Sequence, residues 1–166
     1  FLRFHNQPES QMYKLSKELH LSQLHNPHRV NPHEHYCRRW VTVTLLQELA
    51  NSDRHKTSSR PLVDIQRSQF YGTNNEYLCI SLARPLALSS DTNSCITLGI
   101  LCNDTLRRNV TFADDPAIKN RVVNESCERC AITDCQERAA EPTISEQDQK
   151  QEQREAALQK FLEEHS

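Results

Sequence analysis

Three cysteines fall within nine residues in C127-E-R-C-A-I-T-D-C135, a C-x2-C-x4-C spacing whose short loop can turn three thiolates toward one point. Thiolates so placed hold zinc or an iron-sulfur cluster, and either centre is usually completed by a fourth ligand. Glu125, Glu128, Arg129, Asp134 and Glu137 make the segment too polar for a core strand, so three separate packing roles are the weaker reading. The fourth ligand has to come from elsewhere in the chain.

The candidates are Cys37, Cys79, Cys95, Cys102, His33 and His35. Cys79 and Cys95 lie in strand-like text beside Leu78, Ile80 and Ile96, which suits small core hydrophobes. Cys102 ends such a run and is harder to dismiss. His33 and His35 flank Glu34, but i, i+2 residues do not share a helix face, and they read as solvated or capping groups. Cys37 lies in the polar run H33-E-H-Y-C-R-R-W40, where packing explains it least, and it is the leading candidate.

Composition narrows the rest. A chain of 166 residues suffices for one domain with an appendage, and it buries a core without covalent staples. Seven cysteines, an odd number, then point to a reducing, cytoplasmic compartment; the sequons N109-V-T and N124-E-S weigh little against that. Net charge is −2 with signs interspersed, so the chain has no basic footprint for nucleic acid. No run approaches the roughly 20 apolar residues of a bilayer span, which argues against a membrane partner. The chain opens on Phe1 with no signal-peptide form and is expected to be a piece of a longer protein. No HExxH, G-x-S-x-G or phosphate-cradling glycine loop occurs, and glycine numbers only two, so an enzyme is not expected.

The elements that must position the cysteines follow from periodicity. Met12, Leu15 and Leu19 predict an amphipathic helix from about residue 9 to His20, and residues 32–49 predict a second. L62-V-D-I-Q-R-S-Q-F, E76-Y-L-C-I-S-L-A-R and S94-C-I-T-L-G-I-L-C predict three strands, joined by turn-rich text into an antiparallel meander. Short helical or turn elements follow at 103–109 and 114–120, with a last short strand at 121–124. Beyond Pro142 the text is rich in Glu, Gln and Lys, a polar terminal helix or tail that could also pack against a partner subunit. The expected fold class is α+β, a central antiparallel sheet flanked by helices. The expected division is 1–26 as an amino-terminal helix, 27–142 as the main domain and 143–166 as the terminal helix.

H35-Y-C-R-R-W40, Y77-L-C-I-S-L-A-R-P85, I96-T-L-G-I-L101 and C127-E-R-C-A-I-T-D-C-Q-E-R-A-A-E-P142 together resemble the carboxy-terminal sensor domain of the short-chain fatty acyl-CoA regulators, bacterial transcription factors with an Xre-type helix-turn-helix. The resemblance covers roughly residues 27–142 and implies a regulatory domain of the PAS or GAF kind. Carried over residue by residue, it implies a 4Fe-4S cluster on Cys37, Cys127, Cys130 and Cys135, with a four-cysteine zinc site as the alternative. It also implies a short-chain acyl-CoA effector, whose phosphates need cations, and Arg38, Arg39, Arg84 and Arg138 are the candidates. DNA would be met only through a domain absent from this chain, and a homodimer is the assembly that the terminal helix would serve. On the alternative reading the zinc domain mediates that dimerisation with no small effector.

Overall fold

A computed structural model describes residues 1–10, 12–21, 30–31, 33–51, 60–87, 89 and 91–165. Its elements are β1 (Leu2–Asn6), β2 (Lys14–Glu18), α1 (Val41–Asn51), β3 (Leu62–Phe70), β4 (Glu76–Pro85), β5 (Asn93–Leu101), α2 (Asp104–Asn109), β6 (Lys119–Val123) and α3 (Thr143–Glu164). The six strands form one sheet in the order β2-β1-β5-β4-β3-β6. All neighbours run antiparallel except β3 and β6, which are parallel, so the α+β class holds with a mixed sheet.

The meander β3-β4-β5 forms where alternation predicted it. Gly72, at φ 73, supplies the left-handed residue in the turn between β3 and β4. Alternation sends Ser81, Ala83, Cys95 and Thr97 inward, where α1 covers them with Val43, Leu45, Leu46 and Leu49, and Phe4 from β1 completes this core. Within that apolar layer the Thr97 hydroxyl lies 2.5 Å from Thr42 Oγ1 and 2.6 Å from Ser81 Oγ, so three buried hydroxyls satisfy one another between helix and sheet. Thr97→Val removes the shared partner of the other two. It is expected to cost about 1–3 kcal/mol, read as a lower urea midpoint at unchanged m-value.

Two expectations fail at the amino end. No helix spans residues 9–20: β2 forms there, antiparallel to β1, and the assignment of 1–26 as a helix falls with it; residues 22–26 lie outside the described residues. The helical stripe would have buried Met12 and Leu19, yet both stay about half exposed, while Leu15 packs into the core from its place opposite Phe4. One inward residue at strand spacing outweighs a thin helical stripe once β1 offers an edge.

The second helix, expected over 32–49, starts only at Val41. Residues 35–37 are extended because they pair with residues far down the chain. Tyr36 bridges Ser126, the Cys37 amide donates to Glu125 O, and the Cys127 amide donates to His35 O. Trp40 then anchors the helix start: it packs edge-on to Phe4 and Phe70, and its indole Nε1 donates to Asn124 O at 2.9 Å.

Candidate metal centre and effector cavity

The pairing of 35–37 with 125–127 carries Cys37 to the cysteine loop. Cys37, Cys127 and Cys130 are all buried, and both loop thiols act electrostatically on Cys37. Burial pushes the Cys37 thiol up to about 11, against the pull of backbone N–H groups from Asn124 and Arg39 and with a further push from its two thiol neighbours. The Ala139 amide donates to Cys127 Sγ at 3.4 Å. Backbone donors aimed at two of these three buried sulfurs are the surroundings that stabilise metal-bound thiolates. The donor chemistry therefore fits a thiophilic centre. Cys135 is less buried and supplies its carbonyl to the Arg138 amide. Among the described residues, no group of three or more His, Cys, Asp and Glu side chains is gathered closely enough to hold a single metal ion.

The other cysteines lie in packing positions. Cys95 is fully buried in the main core and Cys79 packs against it, with burial raising their thiols to about 12 and about 11. Cys102 packs with Leu78 and Leu106 on the opposite face of the sheet.

An Arg–Glu ion pair and a His–Glu contact lock the cysteine loop to the residues before Cys37. Arg129 forks onto Glu34, Nε to Oε2 and Nη2 to Oε1, both at 2.8 Å. Ser126 Oγ donates to the same carboxylate at 2.6 Å, and the Asn31 amide and side chain reach it at 3.0 and 2.9 Å. Burial alone would raise the Glu34 pKa, but these donors outweigh it and hold the carboxyl down to about 2. Beside it, Glu128 accepts from the His35 amide and lies 2.8 Å from His35 Nδ1, while its carbonyl accepts the first amides of α3, from Ile144 and Ser145. Glu34 and Arg129 escaped the sequence reading, which took the flanking His33 and His35 as solvated or capping groups. The available signal was an arginine standing between two cysteines of the loop.

Arg138 closes the loop from the other side. Its guanidinium donates to Cys127 O at 2.9 Å and Cys130 O at 3.1 Å, to Ile132 O, and more weakly to Ala140 O. The same residue lines a polar cavity of about 550 Å³ together with Asn6, Tyr13, Arg38, Gln47 and Glu137. Arg38, buried, holds its guanidinium carbon 4.6 Å from the centre of the Tyr13 ring. The four expected effector arginines thus divide. Arg38 and Arg138 share one cavity; Arg39 stands beside it, bonded to Val122 O and 3.7 Å from Glu137 Oε1; Arg84 is exposed on the outer face of β4 and lines neither cavity. A second recess, apolar and about 90 Å³, lies between sheet and α1 against Trp40, Phe70, Tyr77, Cys79 and Gly99.

Fold and site together define an α+β domain with a mixed six-stranded sheet, in which a cysteine-bearing loop after β6 is tied to the segment ahead of α1. No family model, no curated protein and no solved structure matches the chain. No described helix is long and apolar enough to cross a membrane.

Proposed function

We propose that this chain is the effector- or redox-sensing domain of a bacterial, cytoplasmic transcription factor, related in architecture to PAS or GAF modules, and that its cysteines hold a 4Fe-4S cluster. The observation that carries this reading is the pairing of residues 35–37 with 125–127, which buries Cys37 among Cys127 and Cys130 across some 90 residues of intervening sequence. Cys37, Cys127, Cys130 and Cys135 would hold the cluster, which when bound supplies a one-electron couple sensitive to oxidants. The resemblance of the cysteine text to the short-chain fatty acyl-CoA regulators favours a cluster, whose four irons each take one thiolate, over zinc, which draws four sulfurs to about 2.3 Å from one ion. The chain's own residues supply the support: amides of Asn124, Arg39 and Ala139 face two of the sulfurs, and the Arg138 charge, bonded among the described residues to carbonyls of the loop, offsets the negative charge of the thiolates. Because the Cys37 thiol is protonated near neutral pH, loading the site releases a proton and weakens as pH falls.

The effector reading rests on the cavity that Arg38 and Arg138 share. Two guanidinium groups suit the phosphates of a short-chain acyl-CoA, and the apolar recess beside Trp40 has room for only a few carbons. Arg138 touches both the cavity and three carbonyls of the cysteine loop, so effector occupancy and cluster state would bias the same loop. Thermal unfolding with acetyl-CoA, propionyl-CoA and free CoA tests this. A binder at about 100-fold excess over its Kd should raise Tm by roughly 5–10 °C, and Arg38→Met should abolish the rise. No shift with any of the three ligands removes the acyl-CoA effector.

A further inference from the structure

The face of the sheet turned away from α1 carries an uncovered apolar patch. Cross-strand register aligns Val63, Leu82 and Ile96 in one row over β3, β4 and β5, with Ile80 and Leu98 in the next and Ile100 beyond them. Val63 is 62% exposed, Leu98 49%, Ile100 42%, and Leu82 and Ile96 39% each. These are aliphatic side chains standing on the most regular part of the fold. On one flank the patch stops where α2 and the segment after it cover Leu78 and Ile65; on the other it gives way to Arg3 and Lys17, which share its face on β1 and β2.

We propose that this face is the interface of a homodimer, two copies of the chain packing sheet to sheet about a two-fold axis lying between β4 and β5. The exposed parts of the five side chains amount to on the order of 400 Å², the size of a monomer's largest apolar patch, which is often functional. That is about half of the roughly 800 Å² per partner of a standard interface, and the basic flank and the α2 shoulder supply a polar rim for the remainder. A second copy is the fitting occupant because the centre of the patch holds no charge or hydrogen-bonding side chain to specify a different partner, and subunit interfaces of identical chains are the most apolar class. Isologous contact also needs no second surface: β5 of each copy meets the partner's β4, so the Ile96 and Leu98 side chains of one copy pack against the Leu82 and Ile80 stripe of the other. This assigns dimerisation to the sheet, whereas the exposed Leu158, Phe161 and Leu162 stripe of α3 is left outside the contact.

Sedimentation equilibrium between about 1 and 100 µM chain decides the matter. The wild-type chain should be a dimer with Kd on the order of micromolar. Leu98→Glu should weaken association by roughly 100-fold or more, because each copy would bury an unpaired carboxylate against the partner's apolar β4 stripe. Replacing Leu158, Phe161 and Leu162 by serine should leave Kd unchanged. Far-UV circular dichroism and the urea midpoint report folding; should Leu98→Glu fail to fold, Leu82→Lys serves in its place. A wild-type chain that stays monomeric to about 100 µM overturns the proposal and gives the face to another segment of a longer chain or to a different protein. A dimer undisturbed by the sheet variants, or one dissolved by the α3 variant, overturns it equally.

Discussion

Cys37→Ser should strip the chain of its cluster while leaving the fold in place. Bound iron and sulfide should fall from about four of each per chain to near zero, because serine offers a harder oxygen donor at the one ligand position supplied by the early segment. The fold should survive because the loop does not depend on Cys37 for its anchorage. The Tyr36–Ser126 bridge, the Cys127 amide to His35 O and the Arg129–Glu34 pair all remain. Near-native far-UV circular dichroism with the visible absorbance lost is the expected pair of results. Retained iron would remove Cys37 from the site and return the fourth position to another residue.

Arg129→Ala should be the most destabilising polar substitution, costing about 3–5 kcal/mol in urea unfolding at neutral pH, since it abandons a buried carboxylate that two guanidinium bonds now satisfy. Ser126 and Asn31 still donate to Glu34 but bring no compensating charge. The same pair sets an acid limit on stability. The Glu34 pKa is depressed from 4.5 to about 2 on folding, so its contribution, about 3 kcal/mol at one pKa unit per 1.36 kcal/mol, is complete above pH 4.5 and fades as pH falls toward 2. Arg129→Ala should flatten that acid limb as well as lower the neutral plateau. A variant as stable as wild type, with the same acid limb, would show that the Glu34–Arg129 pair contributes nothing net.

How much of this could be read from residues alone depends on the range of the contacts. β3, β4 and β5 were legible because alternation is local: each strand's inward residues are set by its own text, and the turns joining them are short. β1 and β2 were not, because the sheet edge that β1 joins is built by β5, some 90 residues later, and a five-residue strand such as K14-L-S-K-E18 carries almost no pattern of its own. The parallel placing of β6 beside β3 was equally hidden, since a lone short run says nothing about direction. At the site, Cys37 stood out because a thiol in a charged run lacks a packing reason. Its supports did not: Arg129 meets Glu34 across 95 residues and Arg138 bonds to carbonyls, contacts that leave no mark on spacing. Nor could spacing reveal that Arg38 and Arg138 converge on one cavity while Arg84 points away from it.

The central claim is that the segment ahead of α1 and the loop after β6 close on one metal–sulfur centre. Iron, zinc and acid-labile sulfide analysis of the chain purified without oxygen tests it most directly. The account predicts about four irons and four sulfides per chain, with brown charge-transfer absorbance and no zinc. A chain holding neither iron nor sulfide, or about one zinc in their place, would contradict it.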